Sequence, residues 1–402
     1  MTKVAPRRKG AKGVSSMSSA RALADDVPLA PLPSTGMSIA LVLWSGSYGG
    51  AETWSIALCR SMARRGIRSG LVVVGDPEPL LGDCGLVGVP IEALRLGRGA
   101  EVMLHPRAIA HAISRISPEA VIVPSGGYLS AAIRFGGYRG RIVAVEHGTV
   151  LQLRGMARAQ FAVRQLDMLS GIWAVDAQVV PSEFMMRELR AVTHRDPVIR
   201  IYPGLDTSLY RNDRRTRPPR PDASALVLGF GGRLIKGKGL EVVIRALREV
   251  GGPGSIRLEV AGDGPERADL ERLARSLGVA GNVSFRGWVR DMRSFWEGCD
   301  IAIVPSNEWK ESFGMVAVEA MACGLPVIAS RNGGLSEVIA DGETGYLFEP
   351  GDHKALAGLL AQYSRDPALR SRHGEAANHR FFAKFDIDRC AEEFEGFIRG
   401  LT

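Results

Sequence analysis

Arg233, Lys238, Glu311, Glu319 and His147 are the side chains of this sequence best placed to do chemistry. In GFGGRLIKGKGLEVVIRAL, residues 229–247, an apolar run enters a glycine-rich turn and continues as an amphipathic stretch. Arg233 and Lys238 stand in or just after that turn. Glycines let backbone approach a ligand closely, and a helix N-terminus carries partial positive charge. A planar guanidinium fork and a point-like ammonium added there suit a diphosphate. Solvated charges on a loop are the other reading of the same pair.

The second constellation is PSNEWKESFGMVAVEAMACGLPVIAS, residues 305–330. The pattern predicts a helix over FGMVAVEAMACG, ended by Gly324 and the Leu325–Pro326 pair. Phe313, Gly314 and Met315 then occupy the first turn, where amide N–H groups lack an intrahelical partner and suit phosphate or sugar oxygens. Glu311 falls in the loop before the helix. Glu319 lies inside it between Val318 and Ala320, where a carboxylate needs a partner or a wet face. Eight helical residues rise ~12 Å, whereas paired glycosidase carboxyls stand ~5–9.5 Å apart. Helical geometry therefore favours ligand-holding over an acid–base dyad, although the loop position of Glu311 leaves the separation open.

His147 closes the apolar run RIVAVEH, at the carboxyl end of an expected strand, where site residues of parallel sheets gather. In SYGGAE, Gly49 and Gly50 end the first strand and Glu52 opens a helix. That segment lacks the full G-x-G-x-x-G fingerprint, and a plain tight turn explains it nearly as well.

The elements that would position these residues read as two series of buried strands. Residues 38–44, 70–75, 120–126, 141–147, 177–182 and 198–204 form one series. Residues 225–233, 257–263, 282–288, 300–306, 326–330 and 344–350 form the other. Short β-branched runs ended by Gly, Ser or Pro, alternating with amphipathic stretches, predict α/β domains with parallel sheets. Between the series, RNDRRTRPPRPDAS at 211–224 cannot build a core and reads as linker. The expected layout is a basic tail over 1–36, one domain over 37–205, a linker region over 206–224 and a second domain over 225–384. A last helix at 385–402 is placed to return to the first domain.

Composition narrows the function classes. The chain has 402 residues, 46% hydrophobic and 23% charged, enough for two cores. No apolar run reaches the ~18 residues of a membrane span. Half of the +8 net charge comes from residues 1–26, whose Ser, Ala, Pro and Gly content predicts a disordered arm on a cytoplasmic protein. A mitochondrial-type transit peptide is the alternative. Five cysteines without metal spacing predict free thiols rather than a zinc site or disulfides.

With these motifs in hand, ESFGMVAVE (311–319) resembles the Glu–seven residues–Glu motif of GT-B glycosyltransferases, specifically the retaining family 4, group 1 type. GGRLIKGKG resembles the family's phosphate-binding turn. The likeness continues in residues 261–289, 299–306, 324–330 and 333–352, and more thinly in GGAE, EHGT, PSEF and PGLD of the first domain. It implies two Rossmann-like domains facing a cleft and transfer of a hexosyl group from a UDP- or GDP-sugar. The acceptor would be a glycan, lipid-linked or small molecule, as in polysaccharide or glycolipid biosynthesis. It further implies that Arg233 and Lys238 hold the donor diphosphate. Glu319 would meet the ribose, and Glu311 the transferred sugar, with the Phe313, Gly314 and Met315 amides. Trp288 and Val289 would lie against the base, Gly50 near the phosphates, and His147 would orient the sugar. No cofactor or metal is required by such enzymes, and no Asp-x-Asp pair stands near these motifs.

The stretch after His147, residues 149–169, places Arg154, Arg158 and Arg164 among Leu, Met and Phe. As a helix it would present a basic and apolar face suited to peripheral contact with the inner face of an anionic membrane, or a solvated wall beside the acceptor. Nucleic acid is disfavoured, because the basic residues are dispersed and no aromatic platform joins them. A non-catalytic nucleotide-sugar-binding protein and a GT-B epimerase are the competing readings on the same fold.

Overall fold

A computed structural model describes residues 36–44, 50–77, 89–96, 100–124, 127–147, 173–191, 197–207, 225–250 and 255–401. The basic tail up to residue 35, Gly49, Cys84, linker positions 208–224 and the basic stretch 149–169 lie outside these residues.

The first sheet has seven parallel strands: β1 (Ser38–Leu43), β2 (Arg68–Val73), β3 (Ile91–Ala93), β4 (Ala120–Pro124), β5 (Arg141–Val145), β6 (Ala177–Val180) and β7 (Val198–Arg200). Their order is β3-β2-β1-β4-β5-β6-β7. Every residue of β1, β4 and β6 is buried, which is why these strands read as unbroken apolar runs rather than alternating ones. β3 is absent from the expected strands because it has only three residues, none fully buried, at the sheet edge.

Helices cover both faces. The first domain carries α1 (Gly50–Arg64), α2 (Ala100–Leu104), α3 (Pro106–Ile116), α4 (Tyr128–Phe135) and α5 (Glu183–Arg190). Gly50 is thus the first residue of α1 and does not end the strand. Leu58, Met62 and Ile67 meet Leu41 and Val73 on one face, while Ile109, Ile113 and Leu129 meet Val42 and Val121 on the other.

The second sheet has six parallel strands, β8 (Leu226–Gly231), β9 (Ile256–Ala261), β10 (Val283–Gly287), β11 (Ile301–Val304), β12 (Val327–Ser330) and β13 (Gly345–Phe348). They run in the order β10-β9-β8-β11-β12-β13. Its helices are α6 (Leu240–Val250), α7 (Arg267–Ser276), α8 (Met292–Glu297), α9 (Met315–Ala322), α10 (Leu335–Val338), α11 (His353–Arg365) and α12 (Pro367–Lys384). In each sheet the strand order reverses beside the first strand, β1 or β8, and ligands of open α/β sheets bind at that reversal, outside the carboxyl ends.

The last helix, α13 (Ile387–Gly400), belongs to the first domain's core by packing. Ile387, Cys390, Phe394 and Ile398 join the same apolar cluster as Trp54 and Met62 of α1. The chain crosses over through a short ladder: the Leu205 N–H donates to the Phe385 carbonyl, and the Ile387 N–H to the Leu205 carbonyl. At the surface, Arg64 pairs with Asp388 and Arg65 with Glu395. Cys59, Cys299, Cys323 and Cys390 are buried and form no disulfide with one another. Among the described residues no helix is long and apolar enough to cross a membrane.

Candidate functional site

A cavity of about 380 Å³ opens between the two domains at the carboxyl ends of their sheets. Gly50, Trp54 and His147 line it from the first domain; Arg233, Lys238, Glu311 and the start of α9 line it from the second. The topology accounts for this. Arg233 follows β8 and Glu311 follows β11, adjacent strands at the reversal of the second sheet.

The ionic centre is compact. The Lys238 ammonium lies 2.7 Å from Glu311 Oε1, and the Ser306 hydroxyl donates to the same oxygen at 2.6 Å. The Lys238 ammonium also stands 5.4 Å from the centre of the Trp309 ring, within cation–π range. Asn332 holds the intervening loop closed: its side-chain N–H₂ donates to the carbonyls of Ser306, Asn307 and Trp309. Ser306, Trp309 and Asn332 escaped sequence reasoning because their importance arises from loop closure over more than twenty positions, which leaves no periodic signal.

Helix α9 differs from its expected form at its start. Gly314 caps it with φ at 105°, a left-handed value that favours glycine, so the helix begins at Met315. Phe313 and Gly314 are therefore not in the first turn. The Phe313 ring is buried in the core, stacked on Tyr202 and edge-on to Phe385, both at 5.5 Å. Met315 and Val316 line the cavity, and the first N–H groups of a helix have no carbonyl one turn back.

Glu319 lies partly buried one turn along α9, where the Trp296 indole N–H donates to it at 3.5 Å. Burial raises its carboxyl to about 7. It does not line the cavity. Nor do Trp288 and Val289. Trp288 is 72% exposed, and Val289 lines a separate surface pocket beside the Arg286–Glu259 ion pair.

His147 follows β5 and reaches the cavity edge-on to Trp54, with ring centres 5.3 Å apart. Its buried Nε2 has no hydrogen-bond partner among the described residues. Burial lowers it to about 4, so the imidazole is neutral at ordinary pH. It offers a ligand one uncharged nitrogen. Among the described residues no group of three His, Cys, Asp or Glu is arranged to hold a metal.

Comparison with known proteins agrees with this architecture. Residues 213–380 match the model of glycosyl transferases group 1, and residues 48–209 match that of glycosyltransferase family 4. The N-acetyl-alpha-D-glucosaminyl L-malate synthase of Bacillus anthracis is 28% identical over 268 residues, 64% of this chain and 68% of that protein. The D-inositol 3-phosphate glycosyltransferase 2 of Catenulispora acidiphila is 37% identical over 216 residues, 46% of this chain and 48% of that protein. The chain spans about half the length of several of the curated relatives it matches. Sucrose-phosphate synthase from Thermosynechococcus elongatus superposes with a TM-score of 0.73 at 23% identity, over 91% of this chain and 99% of that one. Anabaena Alr3699/HepE, solved with UDP and glucose, superposes with a TM-score of 0.74 at 22% identity, over 90% of this chain and all of that one. The fold is GT-B. With the two family models meeting end to end across both domains, the chain belongs to the group 1, family 4 glycosyltransferases.

Proposed function

We propose that this chain is a retaining glycosyltransferase that moves a hexosyl group from a UDP- or GDP-sugar to a glycan, lipid-linked or small-molecule acceptor. The observation that carries this reading is the interdomain cavity in which Arg233, Lys238, Glu311 and the start of α9 converge. A donor diphosphate beside Arg233 and Lys238 would meet two cations and the first amides of α9. As the bond from the anomeric carbon to phosphate breaks, negative charge grows on the leaving nucleoside diphosphate. Cations gathered at the phosphate before the bond breaks stabilise that charge.

Lys238 would turn from Glu311 to the phosphate, freeing the carboxylate to accept hydroxyls of the transferred sugar. Neutral His147 would orient that sugar from the opposite wall. Glu319 would receive the ribose, and Trp288 and Val289 would border the base. Among the described residues that line the cavity, none is an evident covalent nucleophile. The acceptor oxygen would bond to the anomeric carbon on the face the phosphate leaves, its proton passing to the departing phosphate oxygen. Support for a uracil donor comes from the similar Anabaena protein, which was solved with UDP-glucose. Support for polyol or glycan acceptors comes from relatives named as inositol 3-phosphate and lipopolysaccharide core glycosyltransferases.

The test is to incubate the chain with UDP- and GDP-hexoses and candidate acceptors, following nucleoside diphosphate release and the anomeric coupling of the product. An α product from an α donor is expected; a β product would contradict retention.

A further inference from the structure

The loop 311–314 is held from two sides by groups that the proposed chemistry does not use. Behind it, Gly333 and Gly334 lie flat against its backbone just before α10. The Gly334 N–H donates to the Glu311 carbonyl at 2.9 Å. A Cβ on Gly334 would stand 2.4 Å from the Ser312 carbonyl oxygen, so no larger residue fits without moving the loop.

In front of the loop stands the N-terminus of α5, from the other domain. Ser182 caps that helix: its buried Oγ accepts from the Met185 N–H at 3.0 Å and donates to the Ser312 carbonyl at 2.7 Å. Glu337 of α10 reaches across in the opposite direction. Its two carboxylate oxygens accept the Glu183 and Phe184 N–H groups, each at 2.8 Å, and the Tyr202 hydroxyl donates at 3.5 Å. An acid of the second domain thus satisfies the first-turn donors of a first-domain helix, at the positive end of its dipole. The first domain in return satisfies a carbonyl of the second, in the residue between Glu311 and Phe313. Arg380 steadies the Glu337 backbone by donating to its carbonyl at 2.8 Å.

We propose that Glu337 and Ser182 form an interdomain clasp that fixes the closed cleft and sets the position of the loop 311–314. Both are positioning residues rather than catalytic ones. Their cross-domain bonds exist only while the domains meet, so opening the cleft replaces them with bonds to water. Because the clasp seizes the segment between Glu311 and Met315, closure and correct placement of the sugar-facing groups become one event. The claim about activity rests on the proposed glycosyl transfer; the claim about domain closure does not.

The experiment is small-angle X-ray scattering on the full chain, with and without UDP, for wild type, Glu337→Ala, Glu337→Gln, Ser182→Ala and Ser182→Thr. A larger radius of gyration is expected for Glu337→Ala and Ser182→Ala. Ser182→Thr, which keeps the hydroxyl, should scatter like wild type, and Glu337→Gln should fall between. Where transfer is measurable, kcat/KM should drop about tenfold to a hundredfold for the alanine variants, as expected of misplaced reacting groups. It should recover in Ser182→Thr. Scattering unchanged from wild type in both alanine variants overturns the clasp, whatever their activity. If Glu337→Ala does not fold, the comparison of Ser182→Ala with Ser182→Thr decides alone. If no variant, wild type included, transfers sugar, the scattering still decides the clasp, and only the transfer reading fails.

Discussion

The Lys238 ammonium and the Ser306 hydroxyl converge on one oxygen of Glu311, at 2.7 and 2.6 Å. A cation held this way is in position before any ligand arrives. It remains able to trade the carboxylate for a phosphate. Lys238→Ala should therefore weaken UDP and GDP alike, since the ammonium would touch phosphate and not base. Its kcat/KM should fall about 10²–10³-fold, as for loss of one preorganised charge-stabilising group. Lys238→Arg should recover only part of this, because a planar fork does not reproduce a point charge. Isothermal titration with both nucleotides checks the claim; a loss confined to one base would contradict it.

Glu319 gives a pH signature. Burial raises its carboxyl from 4.5 to about 7. The folded protein holds that proton more tightly than the unfolded chain does. Stability at this site is therefore lost as pH rises through that window. Glu319→Gln keeps an acceptor for the Trp296 indole and carries no charge to desolvate. It should be the more stable form at about pH 8, by about 3 kcal/mol, and the difference should close towards pH 4.5. Urea melts of the ligand-free protein at the two pH values measure this; a gap that does not shrink on acidification contradicts it.

His147 should act in the opposite sense. Burial lowers it from 6.5 to about 4. The unfolded chain then takes up the proton first, so stability present above pH 6.5 drains away as pH falls towards 4. His147→Gln should be spared this loss, which amounts to about 3 kcal/mol. The two proteins should diverge in chemical denaturation only below about pH 6.5. Parallel curves throughout would rule the assignment out.

Phe394 tests the return of the last helix. It is 1% exposed on α13 and lies 5.7 Å from Trp54, which in turn meets His147. Phe394→Ala should cost about 3–5 kcal/mol through the cavity it leaves. It should also alter the near-ultraviolet circular dichroism of Trp54. A loss under 1 kcal/mol, with an unchanged spectrum, would mean that α13 is not part of the first domain's core.

Much of the fold was legible in the sequence for one physical reason. Strands buried on both faces need continuous apolar runs, and β1, β4, β8 and β11 supply them. β3 and α10 were not legible, being three and four residues long and held by their neighbours rather than by their own pattern. At the site, Arg233, Lys238 and Glu311 could be read because glycine-rich turns beside strands announce themselves. Phe313 was misread as helical. The left-handed backbone at Gly314 delays the helix, and the ring is drawn into a cluster with Tyr202 and Phe385 that only the folded chain assembles. Ser182, Asn332 and Glu337 carry ordinary local signals, and their partners lie 23 to 154 positions away.

The central claim is a nucleotide-sugar donor seated between Lys238 and the start of α9. A thermal-shift titration of wild type and Lys238→Ala with UDP-, GDP- and ADP-hexoses tests it most directly. At a hundred times the dissociation constant, one of these donors should stabilise wild type by about 2.7 kcal/mol, and Lys238→Ala should need far more ligand for the same shift. No shift with any donor, or equal shifts in both proteins, would contradict the account.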